Sequence, residues 1–125
     1  MTTESIITAY FETMSAMSPH QWRDIFAEDA LVFDPVGNPP TKPQEDAEKF
    51  FGMIANFFET LKLSQDHTFI LGNEAAVKWT MEVVAKNGKQ ARAQGISVFN
   101  INEAGKIQQV SSYWDEKKMM SQLKE

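Results

Sequence analysis

Cysteine is absent from this chain of 125 residues, and histidine occurs at two positions, His20 and His67. Without cysteine the chain has no disulfide bond, no thiolate zinc site and no thiol nucleophile. The two histidines belong to no group with metal-ligand spacing, so we expect both at the surface or at a helix start and predict no metal site. Glycine-rich phosphate loops and dinucleotide-binding spacings are also missing, and no cofactor is predicted.

Basic side chains are outnumbered, 12 against 17 acidic ones, and the formal net charge is −5. A nucleic-acid surface needs a stripe of positive charge to displace phosphate counterions, so this balance argues against one. No apolar run approaches the ~20 residues that span a bilayer. The N-terminus also lacks the basic-then-apolar pattern of an export signal. We therefore expect a soluble, cytoplasmic protein that binds neither nucleic acid nor membrane.

Helical spacing of apolar residues dominates the first half of the chain. Apolar side chains recur every three or four positions over residues 3–18 and again from about Pro43 to Leu61, which predicts two amphipathic helices. Ser18 and Pro19 suit the N-cap and first position of a short helix between them, with Gln21 completing a capping box.

The hydrophobic period changes to two from residue 62 onward. Residues 75–86 alternate apolar and polar side chains, and the Asn87-Gly88 pair that follows them is a strong hairpin signal. Further strands are predicted over residues 89–101 and 106–115. Helices followed by antiparallel hairpins indicate an α+β fold in which helices cover one face of a curved sheet. At this length we expect one domain over the whole chain.

Small side chains alternate along the strand predicted over residues 89–101, at Ala91, Ala93, Gly95 and Ser97. They leave an open volume above the sheet unless aromatic side chains from the helices fill it. Both a ligand cavity and ordinary close packing fit this pattern. Gly95 also suits a kink or bulge at which the sheet bends around a pocket.

Two polar residues stand in apolar surroundings. Asp34 follows an apolar strand candidate, residues 30–33, and precedes a proline-rich loop, so it is either a turn opener or a carboxylate whose pKa is raised by partial burial. A base of raised pKa is the stronger one toward carbon acids. Tyr10 lies in the apolar stripe of the first helix, where its phenol either donates to a ligand carbonyl or bonds within the core.

Residues 27–40, AEDALVFDPVGNPP, resemble the matching segment of bacterial ketosteroid isomerases. Tyr10 precedes Asp34 by 24 residues, which is similar to the spacing between that family's oxyanion-hole tyrosine and its aspartate base. Residues 103–107, EAGKI, and the tyrosine-tryptophan pair that closes the last strand fall where the family has a turn and a pocket tryptophan. The resemblance covers nearly the whole chain.

This resemblance implies the cone-shaped α+β barrel of the nuclear-transport-factor-2-like, or SnoaL-like, superfamily, with N-terminal helices packed on a curved, mixed and mostly antiparallel sheet. It also implies a homodimer and a small apolar carbonyl ligand. Asp34 would remove a proton α to a ketone and return it to a more distant carbon, while Tyr10 would hydrogen-bond the enolate oxygen. The residues in positions like those of the family's apolar pocket wall are Phe26, Phe51, Trp79, Val110 and Trp114.

The chain departs from the family at its second oxyanion donor, where Ser97 replaces an aspartic acid that the apolar site keeps protonated. A serine hydroxyl is a weaker acid and is shorter, and loss of one such donor typically costs ~10²–10³ in rate. Phe26 and Phe51 also stand where the best-studied members carry tyrosines that support the first donor.

Three functions remain compatible with the sequence. The first is isomerase-like proton transfer on an apolar ketone or steroid-like compound, with Asp34 as base, Tyr10 as donor and Ser97 as auxiliary donor. The second keeps the pocket and the base for a polyketide-cyclase-like aldol closure or a dehydration. The third is a non-catalytic ligand-binding or dimerisation module, because fold and base alone do not fix a function. The first is our leading hypothesis.

Overall fold

The computed structural model describes residues 2–124. Its elements, in chain order, are α1 (Thr3–Ser15), α2 (Pro19–Asp24), β1 (Phe26–Phe33), α3 (Pro43–Phe57), β2 (Phe58–Leu71), β3 (Glu74–Ala85), β4 (Gln90–Ile101), β5 (Ile107–Tyr113) and α4 (Glu116–Ser121). The α+β class expected from the sequence is confirmed.

The five strands form one mixed sheet in the order β1-β5-β4-β3-β2. Strand β1 runs parallel to β5, and the other neighbours are antiparallel. The predicted hairpin joins β3 to β4, where Gly88 has a φ of +84° that glycine adopts without steric cost. The Asn87 side chain supports this turn by accepting a hydrogen bond from the Lys89 backbone N–H. Helix α1 packs against β2, and α3 packs against β1.

One face of the sheet is buried beneath these helices. Along β3 every second residue points into the core, as the alternation in the sequence predicts, and burial of such apolar area is the main stabilising term of the fold. The buried residues on this face are Ala75, Val77, Trp79, Met81, Val83 and Ala85. Helix α1 contributes Ile6, Ile7, Tyr10, Phe11 and Met14 to the same core.

Helix α3 ends at Phe57, not at Leu61 as the apolar stripe predicts. Phe58 already pairs with Ala85, and the Lys86 backbone N–H donates to the Phe57 carbonyl. Pairing with β3 therefore overrides the helical periodicity of the last turn, as tertiary context commonly does. Strand β1 likewise begins at Phe26, four residues earlier than predicted, because its first residue pairs with Ile107 of β5.

Two smaller predictions about helix geometry are wrong. The predicted first helix ends at Ser15 rather than at residue 18. Ser18 is the N-cap of α2 and Pro19 its first residue, as expected, but the Ser18 side chain makes no capping hydrogen bond, so there is no capping box with Gln21.

The apolar pattern does not predict α4, because six residues give too few turns for a periodic signal. Met119 and Leu123 are buried and hold this C-terminal segment on the sheet. The Gln122 amide extends the attachment, since it accepts from the Arg92 backbone N–H and donates to the Arg92 carbonyl at 3.0 Å each. The segment thus covers the first part of β4, the residues before Ile96, which pair with β3 but not with β5. Between residues 2 and 124, no helix is both long and apolar enough to cross a membrane.

Candidate active site

Asp34 lies just beyond β1, in a loop that is tied at both ends. Val32 and Thr41 exchange two backbone hydrogen bonds of 2.9 and 2.8 Å, so the loop folds back on the strand that precedes it. The Val36 N–H donates to the Ser112 carbonyl at 2.8 Å and fixes the loop against β5. The Asp34-Pro35 peptide bond is cis. The hydrogen bonds on both sides of Asp34 hold it at the end of β1.

The Asp34 carboxyl is partly buried and accepts a hydrogen bond from the Trp114 indole Nε1–H at 2.6 Å. Burial raises its pKa from 3.8 to about 6, the Trp114 hydrogen bond opposes this rise, and the negative charge of Glu116 adds to it. A carboxylate with this pKa is mostly ionised at neutral pH and more basic than an ordinary one. It is therefore suited to act as a general base.

Tyr10 is 2% exposed and is surrounded by aromatic rings. Phe11, Phe26 and Phe99 meet its ring edge-on, with centroid distances of 5.3, 6.2 and 5.0 Å. Burial raises the pKa of the phenol well above its usual value, the charge of Asp34 raises it further, and a hydrogen bond with Ser112 lowers it. The phenol thus stays protonated, as a donor, within electrostatic reach of the carboxylate.

Ser97 is buried on β4, 2% exposed, and its hydroxyl is already engaged by the protein. The Trp79 indole Nε1–H donates to Ser97 Oγ at 2.9 Å, and Ser97 Oγ lies 2.6 Å from Ser112 Oγ. Ser112 is equally buried and is the strand partner of Ser97. Ser112 is not predicted from the sequence, although it lies on β5 two residues after Val110 and therefore on the same face of the sheet.

Gly95 leaves room for the side chains of Trp79 and Trp114. It pairs with Trp79 in an unbroken register, so the predicted bulge is wrong. A Cβ at this position would lie 2.6 Å from the Trp79 ring, 2.7 Å from the Tyr113 carbonyl oxygen and 2.8 Å from Trp114 Cβ. The missing side chain therefore lets Trp79 and Trp114 meet edge-on at a centroid distance of 6.0 Å.

The space expected above the small residues of β4 is divided between these indoles and a hollow farther along the strand. The Trp79 ring and Trp114 Cβ occupy the volume next to Gly95. A hollow of about 360 Å³ lies beside Ala93, between β4 and α4. Met119 lines its apolar side, while Arg92 and Lys118 contribute positive charge.

The remaining pocket-wall candidates lie in the core around Tyr10 and Trp22. Phe26 and Phe51 are 3% and 4% exposed, and Val110 is fully buried. The Trp22 ring contacts Phe26 and Phe51 edge-on, with centroid distances of 4.7 and 5.2 Å. Phe50 stacks on the same indole at 5.1 Å. The structure thus places Tyr10 beside an apolar wall and Asp34 beside the Trp79–Trp114 pair, and the electrostatic coupling of Tyr10 to Asp34 links the two groups.

The chain matches the model of the SnoaL-like domain over residues 7–110. This match covers most of the sequence. The chain belongs to the SnoaL-like domain family. Among curated proteins no sequence matches it.

Solved structures share the fold of this SnoaL-like protein. The polyether salinomycin enzyme SalBIII, described as epoxide hydrolase/cyclase-like with a role in pyran ring formation, superposes with a TM-score of 0.79 at 19% identity and covers 92% of each chain. A putative polyketide cyclase from Xanthomonas campestris pv. campestris has a TM-score of 0.85 at 15% identity, over 98% of this chain and 96% of its own. Both confirm the fold expected from the sequence.

Proposed function

We propose that this SnoaL-like protein is an enzyme that moves a proton within a small apolar ketone, in the manner of a ketosteroid isomerase. The observation that carries this proposal is the pairing of two groups. The Asp34 carboxylate is partly buried and its pKa is raised to about 6, and the buried Tyr10 phenol stays protonated because burial and the Asp34 charge raise its pKa. Pairs of titratable groups whose environments separate their roles in this way are typical of acid–base sites.

The proposed reaction begins when an Asp34 oxygen takes a proton from the carbon α to the carbonyl. The electrons of the broken C–H bond form the enolate, and its oxygen accepts a hydrogen bond from the Tyr10 phenol as negative charge develops. The protonated Asp34 then returns the same proton to the γ carbon of a β,γ-unsaturated ketone, and the double bond moves into conjugation. Proton and electron pair both stay within the substrate, so no co-reactant is needed.

The apolar side chains around the pair support the proposal because they exclude water and strengthen both interactions. Phe26 and Phe99 contact the phenol ring, and Trp114 holds the carboxylate. We expect Phe51, Trp79 and Val110 to border the substrate. Ser97 stays a proposed auxiliary donor, although its hydroxyl is shared with Trp79 and Ser112, so Tyr10 is the one direct donor that we assign.

A polyketide-cyclase-like reaction is the second candidate. The two solved structures described above carry cyclase names, and this observation favours carbon–carbon or ring-closing chemistry in the same fold. An aldol closure also begins with removal of a proton α to a carbonyl. Asp34 and Tyr10 would keep their roles, and only the fate of the enolate would differ.

We also propose that the protein is a homodimer formed through the outer face of the sheet. Ile96 and Tyr113 are strand partners on this face, 47% and 54% exposed, and Phe69 adds a side chain that is 73% exposed. Exposed apolar side chains clustered on one face are typical of protein interfaces. Analytical ultracentrifugation should find a dimer that Ile96→Lys converts to a monomer, and a monomeric parent would refute this assignment.

The proposed reaction is tested with a β,γ-unsaturated ketosteroid, whose conversion to the conjugated isomer is followed by ultraviolet absorbance. Asp34→Asn should lower the rate about 10²–10⁴-fold, because the general base is lost. Asp24→Asn is the matched control, since Asp24 is exposed at the end of α2. Ser97→Asp should raise the rate if the serine limits steroid chemistry. Equal rates for the parent and Asp34→Asn would remove Asp34 as the base.

A second substrate separates the two candidate functions. Deuterium exchange at the α carbon of cyclohexanone, followed by NMR, reports enolate formation without isomerisation. Exchange that depends on Asp34, together with an unconverted ketosteroid, would favour the cyclase-like reaction. Absence of both activities would leave a binding module.

A further inference from the structure

The hollow between β4 and α4 is lined by residues other than Tyr10 and Asp34. Its volume of about 360 Å³ is at the lower end of the ~300–1,000 Å³ that is typical of small-molecule sites. It lies beside residues 90–95 of β4, where α4 rather than a fifth-strand partner covers the sheet. The hollow is therefore a second place at which this chain can hold a small ligand.

The α4 side of the hollow is held in place by the protein itself. The Gln122 amide makes its two hydrogen bonds with the Arg92 backbone, and Met119, 3% exposed, anchors the helix on the sheet. The Asp115 carboxylate accepts from the Lys118 backbone N–H at 3.0 Å and so fixes the first turn of α4. The hollow is thus formed before a ligand arrives, and such preorganisation lowers the entropic cost of binding.

Two cationic side chains of the lining, Arg92 and Lys118, have no partner in the described part of the chain. Among residues 2–124, the hydrogen bonds of both residues are made by their backbone groups alone, and the ion pairs join other residues. Asp115 supplies the only negative charge of the lining, so its formal charge is +1. Two cations that line one hollow repel each other, and an anion between them removes that repulsion.

The other part of the lining is apolar and is formed by Ala93 and Met119. The thioether of a methionine adapts to irregular apolar shapes, so it can follow the outline of a small hydrocarbon group. The polar part instead suits a group with two coplanar oxygens, because the guanidinium of Arg92 is a planar fork that matches a carboxylate. A ligand that satisfies both parts carries one carboxylate on an apolar body.

We propose that this hollow binds a small amphiphilic carboxylate, whose charged group lies between Arg92 and Lys118 and whose apolar body contacts Ala93 and Met119. A carboxylate fits better than a phosphate dianion, because the lining has a formal charge of +1 and the whole chain has one of −5. Binding here does not rest on the reaction proposed at Asp34, since no residue of the lining takes part in that reaction.

The probes are 4-phenylbutanoate and its uncharged counterpart 4-phenylbutanamide, with the Kd of each measured by isothermal titration calorimetry. Arg92→Gln and Lys118→Gln should each weaken binding of the carboxylate about 3- to 10-fold, between the effects of an exposed ion pair and of a charge-assisted hydrogen bond, and leave the amide unaffected. Lys117→Gln is the matched control, because it removes a positive charge from α4 outside the lining. Equal affinities for the two probes, or an equal loss in the control, would overturn the proposal.

Methyl NMR locates the bound probe. The methyl signals of Ala93 and Met119 should shift when 4-phenylbutanoate is added, whereas that of Met14, which is buried on α1, should not. Ala93→Leu should fill the hollow and abolish binding of both probes. Acetate, which lacks the apolar body, should bind at least about 10-fold more weakly than 4-phenylbutanoate, the effect of burying about two CH₂ groups.

Shifts confined to Met14 would place the probe in the core beside Tyr10 and overturn the proposal, as would acetate that binds as tightly as 4-phenylbutanoate. The two charge variants are at the surface and carry the test if Ala93→Leu fails to fold. Absence of ketone turnover would refute the proposed function and leave these binding results unchanged.

Discussion

The core lies between a helical wall, formed by α1 to α3, and a sheet wall, formed by the strands and Trp114. Buried tryptophans on these two walls differ in their hydrogen bonding. On the helical wall, the Trp22 indole is fully buried among phenylalanine rings, and its N–H has no hydrogen-bond partner among residues 2–124. On the sheet wall, Trp79 and Trp114 donate to Ser97 and Asp34. The helical wall therefore excludes water, whereas the sheet wall orients hydrogen bonds. A site for acid–base chemistry needs both.

Among the substitutions that test this comparison, loss of the Tyr10 phenol should have the largest effect. Tyr10→Phe keeps the ring among its aromatic neighbours and removes the phenol. Proton transfer should fall by ~10²–10³, the usual consequence of removing an oxyanion donor. Rates on the β,γ-unsaturated ketosteroid, measured beside those of Tyr113→Phe, check this. A Tyr10→Phe rate within twofold of the control would exclude the phenol as the donor.

Gly95→Ala tests how tightly the sheet wall is packed. The added Cβ would meet the Tyr113 carbonyl oxygen at 2.7 Å, and it would lie less than 3 Å from the Trp79 ring and from Trp114 Cβ. Overpacking of this kind should lower the free energy of unfolding by about 1–3 kcal/mol. Gly52→Ala on α3 is the control, because its Cβ meets nothing within 4 Å and should add up to about 1 kcal/mol of helix stability. Urea unfolding of both variants gives the comparison, and similar stabilities would contradict the packing described.

Asp34→Asn tests how much the ionised Asp34 carboxylate lowers the free energy of unfolding. Its folded pKa of about 6 exceeds the ordinary value of 3.8, so the contribution of this carboxyl to stability is greatest below pH 3.8 and falls as the pH rises toward 6. The variant, which can still accept from Trp114, lacks this loss. It should be more stable than the parent by about 1–3 kcal/mol above pH 6 and nearly equal to it below pH 3.8. Unfolding curves across this range check the sign. A variant that is less stable at neutral pH would contradict it.

The smallest expected effect is the difference in the free energy of unfolding between substitutions of two buried tryptophans. Trp22→Phe and Trp79→Phe remove the same ring volume, but only the second leaves a serine hydroxyl without its donor. Trp79→Phe should therefore cost about 1 kcal/mol more in the free energy of unfolding. The extra cost should vanish when Ser97 is also alanine. Equal costs in both backgrounds would mean that the polar bonding of the sheet wall contributes no stability.

Local patterns predicted the parts of the fold whose signal is local. The alternation along β3 and the Asn87-Gly88 turn are such signals, and the structure confirms both. The end of α3 and the start of β1 depend on pairing with strands distant in the chain. Hydrophobic periodicity within one segment does not indicate that pairing. Helix α4 is too short to show a period.

The candidate site shows the same division. Asp34 and Tyr10 could be selected because each is a polar residue in an apolar stretch, and the structure places them within electrostatic reach of each other. Ser112 could not, since a serine on a half-polar strand is common and its significance depends on pairing with Ser97 across the sheet. The packing of Trp79 and Trp114 next to Gly95 could not be predicted either, because small residues on a strand are compatible both with a cavity and with a packed ring.

The pKa of the Asp34 carboxyl, obtained by NMR titration of the ¹³C-labelled side chain, is the most direct test of the proposed base. We expect a value of about 6, raised by burial against the opposing hydrogen bond from Trp114. Trp114→Phe should raise this pKa further, because the carboxylate loses a donor. An Asp34 pKa near its ordinary value of 3.8 would mean that the carboxyl is well solvated, and it would contradict the base that the proposed reaction requires.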